Sequence, residues 1–491
     1  MNYLKQLAGQ TVIYGLSSVV PRLLNYLLVP LYTRVFLPEE YGIVTEMYAY
    51  LGFFLVLLTF GMETGYFRFA TKLTNNNSIY STAFYTLLST SSLFIIIMSF
   101  LSSNIVNALG YPQNPEYIVL LSMVIGLDAF CAIPFAKLRL ENKAFTFSII
   151  KIVGVTINIL LNLFFLTLCP KVEILKNSFL YNQNIGITYV FLSNLASSLL
   201  VTIVLLFKSG SIPKSFNLNQ LKSLMLYSLP LLISGLGGTT NESFDRIFIK
   251  YLVPEESNPL FQLGIYGSNV KLAVLMVLFI QMYRYAAEPF FFSTAEKKDS
   301  PDVYSNMLKY FLVFTLLIFL SVGLFTDVFK YLVGTNFREG LGVVPILLIA
   351  NLFYGVFFNL SIWYKLTNKT WYGIYYTFAG ALLTITLNIL LIPKIGYYGA
   401  AIARLACYIL MCVLCYYGGK KIFPIPYQIK RMLIYLFSAL ILFLIGFFIN
   451  INIYFVSFAF RIFLITVFLY VFIRIEKINI KSRINEIKLW K

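Results

Sequence analysis

Six basic side chains lie inside apolar stretches of this chain: Arg22, Lys151, Lys271, Arg284, Arg404 and Arg461. A charge at the centre of a membrane helix costs about 2.5–3.5 kcal/mol on insertion scales, so each of them needs a compensating partner. Two kinds of partner can serve: a buried carboxylate, or an anionic ligand in a hydrated cavity. A guanidinium matches the two-oxygen geometry of a phosphate and an ammonium acts as a point charge, so the cavity reading is one of phosphate chemistry. Lys271, near the middle of its stretch, and Arg22, well inside the first, stand out for that role. Lys151, Arg284 and Arg404 lie within a few turns of a span end, where snorkelling to the interface competes with a cavity role. Arg461 reads as structural.

The acids inside the apolar stretches are fewer: Glu46, Glu63, Asp128 and Glu288. Asp128, in Gly126-Leu127-Asp128-Ala129-Phe130, sits near a span centre. It is either a proton- or sodium-coupling carboxylate or the structural partner of a basic side chain. Glu288 follows Arg284 by four residues, a spacing that puts both on one helix face, and is a second candidate for coupling. Glu63 falls at a span end beside Arg68 and reads as interfacial. The chain has no histidine. That removes imidazole metal ligands, His-based triads and His proton relays, so no metal, cofactor or catalytic residue is expected. Cys412 and Cys415 have redox-motif spacing, but they stand in an apolar helix with no βαβ pattern. Together with Cys131, Cys169 and Cys407 they read as packing residues.

The elements that must hold these side chains are membrane helices. Residues of the hydrophobic set make up 59% of the chain, and the mean hydropathy is +0.80, well above an ordinary soluble domain. There are about fourteen stretches of the length that crosses a bilayer. They lack the alternation of a barrel strand, so the expected class is all-α and integral to the membrane. The net charge of +18 would suggest nucleic acid in a soluble protein, but here it is distributed by side. With a cytoplasmic N-terminus, about 24 Lys and Arg fall on that side and about 8 on the other. The cytoplasmic set includes Arg68, Lys72, Lys137, Arg139, Lys143, Lys208, Lys214, Lys297, Lys298, Lys420, Lys421, Lys430 and Arg431. The far loops near 104–116 and 450–453 carry none. The basic balance therefore reports topology, and no nucleic-acid partner is expected. The opening stretch contains Pro21 and Arg22 and has no cleavage motif, so it reads as a retained helix.

The second half of the chain repeats the first. Arg34-Val35-Phe36-Leu37-Pro38-Glu39-Glu40 answers to Lys250-Tyr251-Leu252-Val253-Pro254-Glu255-Glu256, and Gly42-Ile43-Val44 to Gly264-Ile265-Tyr266. Leu140-Glu141-Asn142-Lys143-Ala144-Phe145 pairs with Leu366-Thr367-Asn368-Lys369-Thr370-Trp371, and Thr156-Ile157-Asn158-Ile159-Leu160-Leu161 with Thr386-Leu387-Asn388-Ile389-Leu390-Leu391. The four matches run in one order at offsets of about 216 to 230 positions, as a duplicated unit with small insertions should. The expected organisation is two pseudo-symmetric six-helix bundles, 1–210 and 211–422, followed by two C-terminal helices over 423–474 and a basic cytoplasmic tail at 475–491. Duplicated bundles with a site between the halves are a transporter architecture.

Fourteen spans arranged six, six and two resemble the polysaccharide-transporter branch (O-antigen and capsule flippases) of the multidrug/oligosaccharidyl-lipid/polysaccharide exporter superfamily. Leu7-Ala8-Gly9-Gln10-Thr11 through Arg34-Val35-Phe36-Leu37-Pro38-Glu39-Glu40-Tyr41-Gly42 looks like the first helix and loop of that branch. Asp245-Arg246 followed by Leu263-Gly264-Ile265-Tyr266 is similar to its seventh-helix exit. Leu391-Ile392-Pro393-Lys394-Ile395-Gly396-Tyr397-Tyr398-Gly399 resembles its turn between helices eleven and twelve. The resemblance implies a flippase for an undecaprenyl-pyrophosphate-linked oligosaccharide in surface polysaccharide synthesis. It also implies a bacterial inner-membrane location, with membrane lipids as surroundings and a polysaccharide polymerase as a candidate partner. The implied headgroup site is a cationic cavity between the lobes, to which Arg22, Lys271, Arg284, Lys151 and Arg404 are assigned. Tyr14, Tyr26 and Tyr283 are candidates for stacking on sugar rings. The rival readings are a peptidoglycan lipid-precursor flippase and a cation-coupled drug exporter. A membrane glycan polymerase or ligase is disfavoured by the short loops, which have no acid–base cluster.

Overall fold

The computed structural model describes residues 19–70, 76–178, 181–182, 185–210, 215–294, 300–449 and 451–477. The Leu7–Thr11 motif, Tyr14, Lys72, Lys214, Lys297, Lys298 and the tail beyond 477 lie outside them. Among the described residues all regular structure is helical. Twelve helices are long and apolar enough to cross a membrane, or thirteen when one bent pair is taken as a single span. In chain order they are α1 (19–35), α2 (Pro38–Ala70), α3 (Asn77–Phe100), α4 (Glu116–Leu140), α5 (Ala144–Lys171), α6 (Gly186–Ser209) and α7 (Leu218–Leu252). Then come α8 (Pro259–Leu272, continued after a 44° bend by Val274–Phe292), α9 (Ser300–Leu324), α10 (Thr335–Leu366), α11 (Trp371–Ile395), α12 (Tyr397–Ile422), α13 (Ile429–Phe448) and α14 (Tyr454–Ile475). The described part of α1 is not among the twelve.

The two helices that matter most for the site start by the same device. Pro38 opens α2 after extended Leu37, and the Glu40 carboxylate accepts the Leu37 N–H at 2.8 Å. Pro259 opens α8 after Asn258, whose Oδ1 accepts the Phe261 N–H at 3.2 Å. Proline costs no hydrogen bond in a first turn, and a side-chain acceptor satisfies one of the orphan donors there. Helix α2 breaks its line at Phe60 and Gly61, both with positive φ, of 52° and 67°.

Helix α7 belongs to both halves of the molecule. Leu224, in its first half, is buried with Met62, Tyr66, Tyr80 and Phe84 of the N-terminal half, and Gln220 accepts a hydrogen bond from Ser78 at 2.9 Å. Its second half meets α11 and α12: Asn241 donates to the Thr377 carbonyl at 3.2 Å. The extra pair α13 and α14 docks on α9, where Phe443 lies against Gly323 and Leu324 against Gly446. Much of the outer surface is apolar, as at Phe378, Leu382 and Ile389 on α11 and Leu93, Ile96 and Phe100 on α3. In water such a surface would aggregate; in hydrocarbon it is the expected exterior.

Candidate functional site: a cationic cavity between the halves

A cavity in two adjoining parts runs between the halves. Asn25, Asn158 and Asn194 line both parts. The inner part, about 320 Å3, is walled by Tyr32, Tyr41 and Tyr48 and by Arg246, Gly267 and Lys271. The outer part, about 640 Å3, carries Arg22, Glu63, Asp128, Arg139, Lys151 and Tyr285. Its lining comes mainly from the second halves of α2, α4 and α8, the middle of α6 and the first halves of the described α1 and of α5, toward the side where Lys137 and Lys208 end their helices and Lys143 lies in the loop after α4. Glu63 and Arg139 form an ion pair at this rim, each side chain 42% exposed.

A buried polar chain fixes the wall. Tyr32 donates its hydroxyl to Asn162 Oδ1 at 2.9 Å, and Asn162 Nδ2 donates to Asn158 Oδ1 at 2.9 Å. Asn158 and Asn162 are four apart on α5 and so share a face. Asn194 of α6 donates to the Tyr48 hydroxyl of α2 at 3.3 Å. Four elements thus hold amide and phenol groups at the cavity surface. Because most of their hydrogen bonds are already made, the wall is pre-set for a polar guest.

Arg284 aside, the intramembrane cations divide into two sets. In one, every cation has its carboxylate. Arg404 pairs with Asp245, which also accepts from the Tyr266 hydroxyl, and donates to the Glu242 carbonyl at 2.5 Å. Lys250 pairs with Glu46 at 2.8 Å, Lys365 with Glu288 at 2.9 Å, Lys309 with Glu476 at 2.6 Å and Arg461 with Asp327 at 2.5 Å. In the other set are Arg22, Lys151, Arg246 and Lys271. All four line the cavity, and among the described residues none has a carboxylate within ion-pair distance. Arg246 Nε is buried without a hydrogen-bond partner. Lys151 rests over the rings of Phe135 and Phe147, 4.9 and 5.1 Å from their centroids, a cation–π contact.

Each residue nominated from sequence therefore has a definite place. Arg22, Lys151 and Lys271 come together on the cavity, with Asp128 on its outer wall accepting the Ser198 hydroxyl at 2.8 Å. Arg404 is locked to Asp245 and lines neither part. Arg284 lines neither part either; it lies over Phe358 at 4.9 Å and reaches the Tyr354 hydroxyl at 3.4 Å. Glu288 does not take Arg284 four residues back, because Lys365 of α10 comes closer. Tyr26 is buried, Tyr283 donates to Asn359 at 2.6 Å, and neither lines either part of the cavity. Arg246 was missed as a site residue. Its signal was present in the adjacency Asp245-Arg246: neighbours on a helix point about 100° apart, so they cannot pair with each other. Asp245 turns to α8 and α12, and Arg246 turns to the cavity.

With this geometry in view, comparison with known proteins is informative. Residues 31–335 match the family described as Polysaccharide biosynthesis protein. The chain belongs to that family. A search of curated proteins gives no match, whereas solved structures match over nearly the whole length. A structure of the lipid II flippase MurJ in an inward closed conformation is 16% identical, with a TM-score of 0.73 over 94% of this chain and 99% of that one. An inward-facing multidrug resistance MATE transporter of the MOP superfamily is 13% identical, with a TM-score of 0.65 over 86% and 95%. An outward-facing one is 14% identical, with a TM-score of 0.58 over 87% and 96%. This member of the polysaccharide biosynthesis family thus has the fold of the MOP exporters and is a multi-pass membrane protein.

Proposed function

We propose that the protein is a flippase that carries an undecaprenyl-pyrophosphate-linked oligosaccharide across the bacterial inner membrane for surface polysaccharide synthesis, with its N-terminus cytoplasmic. The observation that carries this reading is the division of charges. Ion pairs satisfy Arg404, Lys250, Lys365, Lys309 and Arg461, while Arg22, Lys151, Arg246 and Lys271 face a shared cavity with no carboxylate partner among the described residues. A pyrophosphate brings the missing negative charge, and moving it through hydrocarbon without such groups is prohibitive. The glycan would occupy the wider outer part, against amides and hydroxyls, while the lipid tail stays in the bilayer. Alternating access between the two halves then moves the headgroup from one face to the other.

Several features support this reading over its rivals. A drug exporter for cationic compounds needs net negative charge at its site, and here the cations outnumber the acids. A peptidoglycan-precursor flippase shares the pyrophosphate, and the likeness to the lipid II flippase structure keeps that cargo as the control substrate. The test is reconstitution into liposomes with a fluorescent undecaprenyl-pyrophosphate oligosaccharide, lipid II and a cationic dye in parallel. Arg246→Ala and Lys271→Ala should each slow oligosaccharide movement by roughly tenfold to a hundredfold, the worth of one charge-assisted hydrogen bond. Dye transport without lipid transport would replace the proposal, and faster movement of lipid II would change the cargo and keep the site.

A further inference from the structure

Opposite the cavity mouth the two halves close on each other, and they do so reciprocally. Gly42 of α2 meets the backbone of Leu260, with no room for a Cβ against its carbonyl. Gly264 of α8 meets the backbone of Pro38 in the same way. The spacing that separates Gly42 from Gly264 also separates Pro38 from Leu260. Each contact is therefore the image of the other under the sequence repeat, as in a two-fold interface where residue i meets j and j meets i. Gly267 adds a third close approach, against Thr45. Around this crossing the halves are stitched by polar contacts. Gly334 donates to Thr33 Oγ1 at 2.9 Å, Arg34 donates to the Tyr331 carbonyl at 2.7 Å, and Asn258 donates to Glu39 at 3.0 Å.

One charged pair crosses the same seam, and it is closed to water. Glu46 of α2 is 0% exposed and Lys250 of α7 is 10% exposed. The Lys250 ammonium donates to both Glu46 oxygens at 2.8 Å and to the Leu109 carbonyl at 2.6 Å, using all three of its donors. Glu46 also accepts from Tyr111 at 2.6 Å and from Tyr50 at 3.1 Å, and the Tyr50 hydroxyl lies 3.2 Å from that of Tyr251. The Tyr111 ring covers the ammonium at 4.3 Å. This pair takes no part in the cationic cavity, and it joins the two halves at the end away from the mouth.

We propose that the α2–α8 glycine crossing is the gate on this side and that Glu46–Lys250 is its latch, which must separate before the cavity can open there. The inference rests on alternating access as read above. In the closed state the counter-charge of each group comes from the other half, so removing one partner leaves the other charge unpaired in a largely dry site. In the open state water enters and solvates whichever group remains. Neutralising either partner alone therefore favours the open gate, whereas neutralising both removes the stranded charge and restores the closed one. A residue that merely holds the fold together would not show that rescue.

The test uses full-length protein in nanodiscs without cargo, with nitroxide labels at Asn107→Cys and Ser257→Cys. Both are exposed positions on this side, one on each half, and the native cysteines are buried. Pulsed electron resonance should give one dominant short distance in the otherwise unchanged protein. Minor states of two-state proteins are about 0.1–10% populated, and Glu46→Gln and Lys250→Met should each raise the long-distance population at least tenfold. The Glu46→Gln/Lys250→Met double variant should return to the short distance. Gly264→Ala should give the long distance by a separate route, because its Cβ blocks the crossing. The latch is overturned if the single variants keep the short distance, or if the double variant departs as far as either single one. Distances need no substrate, so loss of lipid transport with the expected distances would count against the cargo reading and leave the gate standing.

Discussion

Two arginines show how differently the same residue type works in one membrane. Arg246 follows Asp245 in the chain and Arg404 lies 159 residues away, yet only Arg404 is its partner. Arg404→Ala leaves the Asp245 carboxylate buried with only tyrosine and backbone donors, and unpairing a buried ion pair costs about 3–5 kcal/mol. Its expected signature is a lower unfolding temperature in detergent and poor yield. Arg246→Ala removes a guanidinium that lines the cavity and has no carboxylate partner among the described residues. Its unfolding temperature should stay within a few degrees of the unsubstituted protein while lipid movement collapses. Thermal unfolding and flipping measured on the same preparations separate the two, and parallel losses in both variants would erase the distinction. In the sequence both positions look alike: each is a charge in an apolar run. The partner of Arg404 lies in another helix far along the chain, so no local spacing could have assigned it. The same holds for Glu288, where the four-residue spacing to Arg284 was a sound local argument that Lys365 of α10 overrides.

At the level of elements, the helices were legible because bilayer thickness dictates their length and composition, and the repeat was legible because it left Gly42 and Gly264 in register. The bend in α8 was not, since the break at Ala273 carries neither proline nor glycine to announce it. Nor did apolar pattern alone reveal how α13 and α14 attach. They are held at their ends on the basic side, where Glu476, one residue past α14, accepts from Lys309 at 2.6 Å and from Tyr435 of α13 at 2.7 Å. Burial opposes ionisation of this carboxyl, but the hydrogen bonds from Lys309 and Tyr435 outweigh it and hold its pKa below the ordinary 4.5. A depressed carboxylate contributes stability above its unfolded value and loses it as the pH falls through the folded value. Acidification below about pH 4.5 should therefore loosen this helix pair, seen as faster proteolysis between α12 and α13 (Phe423–Gln428). Glu476→Gln should show that looseness already at neutral pH and respond less to acid. A cleavage rate unchanged in Glu476→Gln would mean that apolar packing alone holds the pair.

For the molecule as a whole, the decisive feature is that the cavity mouth and the seam lie at opposite ends. The outer cavity is lined by helix halves on the side of the basic loops, and the interlocked contacts of Gly42, Gly264, Glu46 and Lys250 lie at the other end. With the basic side cytoplasmic, as the proposed function takes it, this arrangement corresponds to a cytoplasm-open state of the proposed transporter. That assignment has a direct consequence at Thr59, which lines the outer part and is partly exposed. A Thr59→Cys variant should react with a membrane-impermeant maleimide in inverted vesicles, and at least about tenfold more slowly in right-side-out cells, because the open-to-far-side state is the minor one. Adding Glu46→Gln should raise the rate in right-side-out cells and lower it in inverted vesicles, since one cavity cannot be open to both faces at once. If the reagent reached Thr59→Cys equally from both sides, the molecule would be a pore or its seam would not seal. If it reacted only in right-side-out cells, the topology deduced from the basic loops would be reversed, although the gate, the cavity and the sorting of charges between them would keep their geometry.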